Sequence, residues 1–155
     1  MVCLGNICRS PLAEGILRHR ILEAKLDWQI DSAGTSAYQP GCAPHILSQK
    51  IAVENGFDIA DQVCRQLAPD DINHFDRIYV MDKENYLEAK TIFGRGADLS
   101  KMDMLMNEAS EEKNKDVPDP WHGGEDGYHK VYAMINRACN AIVERYKNPV
   151  TATGS

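Results

Sequence analysis

The sequence predicts an α/β fold in three layers: a doubly wound, mostly parallel sheet of about four strands with helices on both faces. Short apolar segments of strand type alternate along the chain with longer segments of helical periodicity, and this alternation is typical of a parallel sheet. The 155 residues are most simply one domain, which we place at residues 1–148, with a C-terminal tail at residues 149–155. An apolar content of 43% and a charged content of 26% are ordinary for a globular protein.

The first half of the chain contains two predicted strands and two predicted helices. Residues 1–3 are a short apolar start, and residues 10–25 carry apolar side chains at helical spacing. Residues 28–34 are predicted to form a second short strand that ends in a turn. A loop with several prolines and glycines then precedes a second helix at residues 45–54.

The second half contains the segment with the strongest strand character, at residues 75–81. Residues 83–93 are predicted to be helical, and a fourth short strand is predicted within residues 97–105. Residues 127–147 are predicted to form a long amphipathic helix. Its apolar stripe, which we expect to face the core, consists of Val131, Ile135, Ala138 and Ile142.

The loop after the first strand has the composition of an anion-binding loop. Cys3 and Arg9 bracket five residues, and Ser10 follows at once. A loop of that length before a helix N-terminus can direct its backbone N–H groups at one phosphate-sized anion. Gly5 permits close approach of the backbone, and Asn6 tolerates the left-handed conformation that a tight curl usually needs. We therefore predict a phosphate loop directly after the first strand.

Cys3 is the predicted nucleophile of this loop. The helix dipole, the loop amides and the Arg9 guanidinium all favour the thiolate form of its side chain. The alternative is that Cys3 is a small buried residue at the end of a strand, which is the usual environment of a free cysteine. Gly5, Asn6 and Pro11 make that alternative poor, because a plain core strand needs none of them.

Asp119 is the candidate proton donor. A cysteine that attacks phosphorus needs an acid for the leaving group and later a base for water, and one carboxylate can do both in succession. Asp119 lies between two prolines that stiffen its loop, and Trp121 beside it supplies an aromatic wall. Taken alone, Asp119 is more simply interpreted as an ordinary aspartate in a turn. The presence of Cys3 and Arg9 makes the proton donor the favoured interpretation.

Charge and cysteine usage exclude several partners and sites. The formal net charge of −6 argues against nucleic acid or an anionic membrane as the main partner. The five cysteines are scattered and odd in number, which suits a reducing compartment, and we expect a cytoplasmic protein. Cys42 and His45 lack a matching second pair of ligands, so no metal site is predicted.

The segment at residues 2–11, Val-Cys-Leu-Gly-Asn-Ile-Cys-Arg-Ser-Pro, resembles the signature of the low-molecular-weight protein tyrosine phosphatases. Asp119, Pro120 and Trp121 match the downstream Asp-Pro-aromatic motif of that family. Residues 31–34 and 75–82 are similar to further family segments, so the resemblance spans nearly the whole chain. It implies hydrolysis of phosphotyrosine on a protein substrate, through a cysteinyl-phosphate intermediate and without any cofactor.

The resemblance also implies a role for each part of the site. Cys3 attacks phosphorus, Ser10 donates a hydrogen bond to its thiolate, and Asp119 acts as acid and then as base. The substrate phosphate, or an inhibitory oxyanion in its place, is bound by Leu4, Gly5, Asn6, Ile7, Cys8 and Arg9.

Residues outside the loop have implied roles as well. Ser32 is implied to support the loop through a hydrogen bond to Asn6, and Tyr38 to form the second aromatic wall, with Trp121 as the first. Arg65 and Asp82 resemble an ion pair that braces the scaffold in the family.

The chain departs from the family at three places. Only Met1 and Val2 precede Cys3, so either a two-residue strand suffices or the chain begins late relative to the native protein. Residues 61–66 lack a histidine that often supports the loop. Trp121 and His122 stand where many members have two tyrosines, which removes phosphorylation of that pair as a means of regulation.

Three alternatives stay open beside this interpretation. An arsenate reductase on the same fold would use two further cysteines near residues 83–93, which contain none. A related protein-arginine phosphatase usually has threonine in place of Ile7, so Ile7 favours tyrosine. A non-catalytic phosphopeptide-binding module would gain nothing from Cys3 or Asp119. For Cys8, packing beneath the loop and capture of an oxidised Cys3 as a disulfide are both open.

Overall fold

The sheet consists of four strands in the order β2-β1-β3-β4, and every pairing is parallel. The computed structural model describes residues 1–148; the tail predicted at residues 149–155 lies outside the described residues. The strands are β1 (Val2–Cys3), β2 (Ala33–Gly34), β3 (Ile78–Val80) and β4 (Met102–Met104). The predicted doubly wound α/β class is confirmed, and β1 lies inside the sheet.

Helices cover both faces of this sheet and complete the three layers. They are α1 (Arg9–Glu23), α2 (Ile46–Glu54), α3 (Asp71–His74), α4 (Lys83–Phe93) and α5 (Glu125–Tyr146). On one face α1, α2 and α5 share a core with Cys3 and Tyr79; on the other, α3 and α4 pack against Val2 and Val80. Neighbouring strand residues face opposite sides because the side chains of a strand alternate.

Several predicted elements differ in extent from those in the structure. Residues 28–34 were expected to form one strand, yet only Ala33–Gly34 pairs, because β1 offers it partners only at Val2 and Cys3. The fourth strand is confirmed but is confined to Met102–Met104. The short helix α3 was not predicted. In α5, the predicted apolar stripe is buried as expected.

The carboxyl ends of the strands gather the segments that carry the predicted chemistry. The loop between β1 and α1 begins at the end of β1, and β3 leads to Asp82 at the start of α4. Gly34, at the end of β2, lies against that loop: a Cβ atom there would be 2.7 Å from the Leu4 carbonyl oxygen. Among residues 1–148, no helix has the length and apolar character needed to cross a membrane.

Candidate active site

The loop between Cys3 and Arg9 is held from outside through its carbonyl oxygens. Those of Cys3 and Leu4 accept from the backbone N–H groups of Thr35 and Ser36 at 2.9 and 2.8 Å. The carbonyls of Gly5, Ile7 and Cys8 accept from the Cys64 thiol, the His45 N–H and the Ser48 hydroxyl. With its acceptors engaged in this way, the loop leaves the unpaired N–H groups at the start of α1 for an anion.

Asn6 fixes the curl of the loop. Its φ of 56° is the left-handed conformation that the sequence predicted. The buried amide donates to the hydroxyls of Ser10 and Ser32 at 2.8 and 3.0 Å, and its oxygen accepts from the Arg65 backbone N–H at 3.0 Å. The hydrogen bond between Asn6 and Ser32 that the resemblance implied is therefore present.

The Ser10 hydroxyl lies 3.0 Å from the Cys3 sulfur, and both side chains are buried. Ser10 accepts from Asn6, and its own proton has two acceptors within reach, the Cys3 sulfur and, at 3.4 Å, the Ala33 carbonyl oxygen. A thiolate can only accept, so Ser10 donates to Cys3 whenever Cys3 is ionised. The hydroxyl is thus placed to donate to the Cys3 sulfur.

Arg9 is oriented by two acceptors. Its Nη1 lies 2.6 Å from Asp82 Oδ2 and donates to the Val117 carbonyl at 3.0 Å, while Nη2 is 3.8 Å from Asp119 Oδ2. Burial alone would lower the pKa of Arg9, but the negative charges of Cys3 and Asp82 outweigh that cost and raise it above its ordinary value. The guanidinium is consequently a fixed positive charge beside the Cys3 sulfur.

The prediction of an ion pair between Arg65 and Asp82 is wrong. Arg65 pairs instead with Asp31 and Asp71, at 3.1 and 2.9 Å. Asp82 is the N-cap of α4, shortly after the end of β3. This position places its carboxylate near the start of α1, where it pairs with Arg9.

A cavity of about 430 Å³ brings most of the predicted site residues together. They are Cys3, Leu4, Gly5, Ile7, Cys8, Arg9, Tyr38, Asp119 and Trp121, and Gln39 and His122 line the cavity too. Three predicted residues do not line it: Asn6, which is part of the loop, and the two serines that accept from its amide, Ser10 and Ser32. Tyr38 and Trp121 are 74% and 51% exposed, so both aromatic side chains lie at its rim.

Two supporting residues were missed by the sequence reasoning. Glu14 is buried and accepts from the Ser32 hydroxyl at 2.9 Å, and its burial raises the pKa of its carboxyl group. Its position one helical turn after Ser10 was a signal that it shares the face turned to the loop. Gln62 donates to the Pro11 carbonyl at 2.9 Å, in the segment that lacks the expected histidine.

Comparison with known proteins agrees with this geometry. The family described as low molecular weight phosphotyrosine protein phosphatase matches residues 1–152. The low molecular weight phosphotyrosine protein phosphatase of Gallus gallus is 34% identical over 146 residues, covering 93% of this chain and 92% of its own.

Two solved structures are similar over nearly their whole length. A protein tyrosine phosphatase from Entamoeba histolytica, with Hepes in its active site, superposes with a TM-score of 0.87 at 32% identity, covering 96% of each chain. A Drosophila arginine phosphatase also reaches 0.87, at 29% identity, covering 94% of this chain and 95% of its own. The chain therefore belongs to the low molecular weight phosphotyrosine protein phosphatase family.

Proposed function

We propose that this chain hydrolyses phosphotyrosine in protein substrates, with Cys3, Arg9 and Asp119 as its catalytic residues. The observation that carries the proposal is that these three side chains line one cavity, where Arg9 lies between the carboxylates of Asp82 and Asp119. The resemblance noted in the sequence and the family membership support the same reaction. The relatives named phosphotyrosine protein phosphatases are phosphoric monoester hydrolases.

In the first step the Cys3 thiolate attacks phosphorus and the bond to the phenolic oxygen breaks. The Asp119 carboxyl group gives its proton to the departing oxygen, so a neutral phenol leaves. The loop amides and the Arg9 guanidinium stabilise the equatorial oxygens while charge shifts in the transition state. The product of this step is a cysteinyl phosphate and the dephosphorylated tyrosine.

In the second step water attacks the same phosphorus and the phosphorus–sulfur bond breaks. Asp119, now a carboxylate, takes a proton from the water. The Ser10 hydroxyl, 3.0 Å from the Cys3 sulfur, stabilises the thiolate as it leaves. Inorganic phosphate is released, and Asp119 is again protonated for the next cycle.

Phosphoarginine is the second candidate substrate, because the similar Drosophila structure is an arginine phosphatase. Ile7 lines the cavity where protein-arginine phosphatases usually carry threonine, and this favours tyrosine. Assays of phosphotyrosine and phosphoarginine peptides, side by side with arsenate reduction, test the proposal. We expect the highest kcat/KM for phosphotyrosine, and preferred turnover of phosphoarginine or arsenate would contradict it.

The proposal extends to inhibitors and location. Phosphate and other oxyanions, vanadate included, are expected to bind in the loop and to compete with substrate, because they present the same tetrahedral oxygens. The scattered, odd-numbered cysteines favour a reducing, cytoplasmic location.

The two cysteines of the loop lead to a prediction on oxidation. Cys3 and Cys8 line the same cavity, and burial raises the pKa of Cys8 to about 11. We expect peroxide to oxidise Cys3 to a sulfenic acid, which Cys8 then converts to a disulfide with loss of water. Wild type should recover its activity in dithiothreitol and Cys8→Ala should not. Protection should increase as pH rises toward 11, because more Cys8 is then thiolate.

Equal recovery of Cys8→Ala and wild type after the same exposure would mean that Cys8 only packs beneath the loop.

A further inference from the structure

His45, the residue before α2, lies between the phosphate loop and the aromatic rim of the cavity. Its backbone N–H donates to the Ile7 carbonyl at 2.7 Å. Its ring meets the Trp121 ring edge to face, with centroids 5.3 Å apart and planes at 74°, and it stacks on Tyr128 at 5.4 Å. One side chain therefore contacts both the rim and the core helix α5.

The hydrogen bonds of His45 determine its tautomer. Nδ1 accepts from the Leu47 backbone N–H at 3.1 Å, and a backbone N–H can only donate. Nδ1 is therefore unprotonated, and the ring proton is on Nε2. The Tyr128 hydroxyl lies 3.3 Å from the same nitrogen, and in a hydrogen bond between the two groups it is the donor.

The same chain of hydrogen bonds continues to the loop. The Cys8 sulfur lies 3.3 Å from the Tyr128 oxygen, so Tyr128 contacts both a loop residue and His45. Burial raises the pKa of both Cys8 and Tyr128, so both groups stay protonated near neutral pH. The imidazole is thus held in one orientation by α2 and α5.

The contact with the His45 ring supports the exposed side chain of Trp121. Trp121 is 51% exposed and lies in a turn that is followed by two glycines. Its backbone N–H donates to Asp119 Oδ1 at 3.0 Å, which joins its position to that of the proposed acid. The contact with the His45 ring ties the indole to an element that is itself hydrogen-bonded to the phosphate loop.

We propose that His45 is a positioning residue that sets the orientation of Trp121 over the phosphate loop and thereby gives the site its selectivity for phosphates that carry a flat ring. The inference rests on the proposed function and specifies its substrate class. His45 acts through Trp121 and contributes nothing to binding of the phosphoryl group itself.

A pair of non-hydrolysable ligands separates ring recognition from anion binding. Benzylphosphonate carries a ring and a phosphoryl group, and methylphosphonate carries the phosphoryl group alone. Calorimetry gives both affinities without any turnover, so the result is distinct from a failure of the proposed hydrolysis. The ratio of the affinity for benzylphosphonate to that for methylphosphonate measures how much the aromatic rim contributes to binding.

His45→Asn retains a side-chain acceptor for the Leu47 N–H but removes the ring. We expect the affinity ratio to fall about 3- to 10-fold, the size of one lost aromatic contact, with the affinity for methylphosphonate unchanged. Tyr128→Phe keeps the stacked ring and removes only the hydroxyl, and we expect a fall of about 2-fold. His74→Asn, in α3, is the matched control and should leave the ratio unchanged.

A double-mutant cycle tests whether His45 acts through Trp121. In the background of Trp121→Ala, His45→Asn should cause no further loss of the ratio. Additive losses would overturn the proposal, and so would an equal loss of affinity for both ligands, since that is the effect of a damaged loop. If His45→Asn does not fold, an unchanged ratio in Tyr128→Phe overturns it.

Discussion

A Cys3→Ser variant is expected to lose hydrolysis of aryl phosphates by a factor on the order of 10⁴ or more, the size typical of removing a covalent nucleophile. A serine hydroxyl stays protonated at neutral pH and is a much weaker nucleophile than a cysteine sulfur. Steady-state kinetics with phosphotyrosine and with nitrophenyl phosphate measure the loss. Binding of inorganic phosphate to the variant shows that the loop is intact.

Cys42→Ser is the matched control, because Cys42 is exposed and does not line the cavity. It should keep wild-type activity. Substantial turnover by Cys3→Ser, with the control unchanged, would contradict a cysteinyl-phosphate intermediate.

An Asp119→Ala variant is expected to lose about 10²- to 10⁴-fold in kcat for phosphotyrosine, the usual contribution of general acid catalysis. The loss should be much smaller for nitrophenyl phosphate, whose leaving group departs without a proton. Asp119 is 42% exposed and lies 3.8 Å from Arg9, so its removal leaves the hydrogen bonds of the loop in place. Comparison of the two substrates in one assay measures the difference.

Asp126→Ala is the control for this experiment, because it removes an exposed carboxylate seven residues further along the chain. It should leave both rates unchanged. An equal loss for both substrates in Asp119→Ala would mean that Asp119 only shapes its loop.

The fold class could be predicted from the sequence because the alternation of apolar segments and helical periodicity extends over the whole chain. The extents of the strands could not. A segment is a strand only where a neighbour pairs with it, and the two residues of β1 limit β2 to Ala33–Gly34. Periodicity within residues 28–34 carries no information about that partner. The four-residue helix α3 is too short to have a periodic pattern.

For the site, local spacing was informative, whereas the long-range contacts of Ser32 and Asp119 were expected from the resemblance and that of Asp82 was assigned wrongly. Cys3, Arg9 and Ser10 lie within one loop, so their arrangement follows from chain geometry. Asp82 was assigned to Arg65, although the pairing depends on how β3 ends relative to α1. His45 was considered only as a metal ligand, because nothing near it in the sequence indicates that the ring of Tyr128, 83 residues away, stacks on it.

Asp82 uses its two carboxylate oxygens for different elements. Oδ1 accepts from the Asn85 backbone N–H and caps the N-terminus of α4, while Oδ2 forms the ion pair with Arg9. Local opening of the first turn of α4 therefore removes one of the two acceptors of Arg9 and leaves only the Val117 carbonyl. We expect the loop and the start of α4 to open together, so that phosphate bound to the loop slows hydrogen exchange of the first amides of α4, about 70 residues away in sequence.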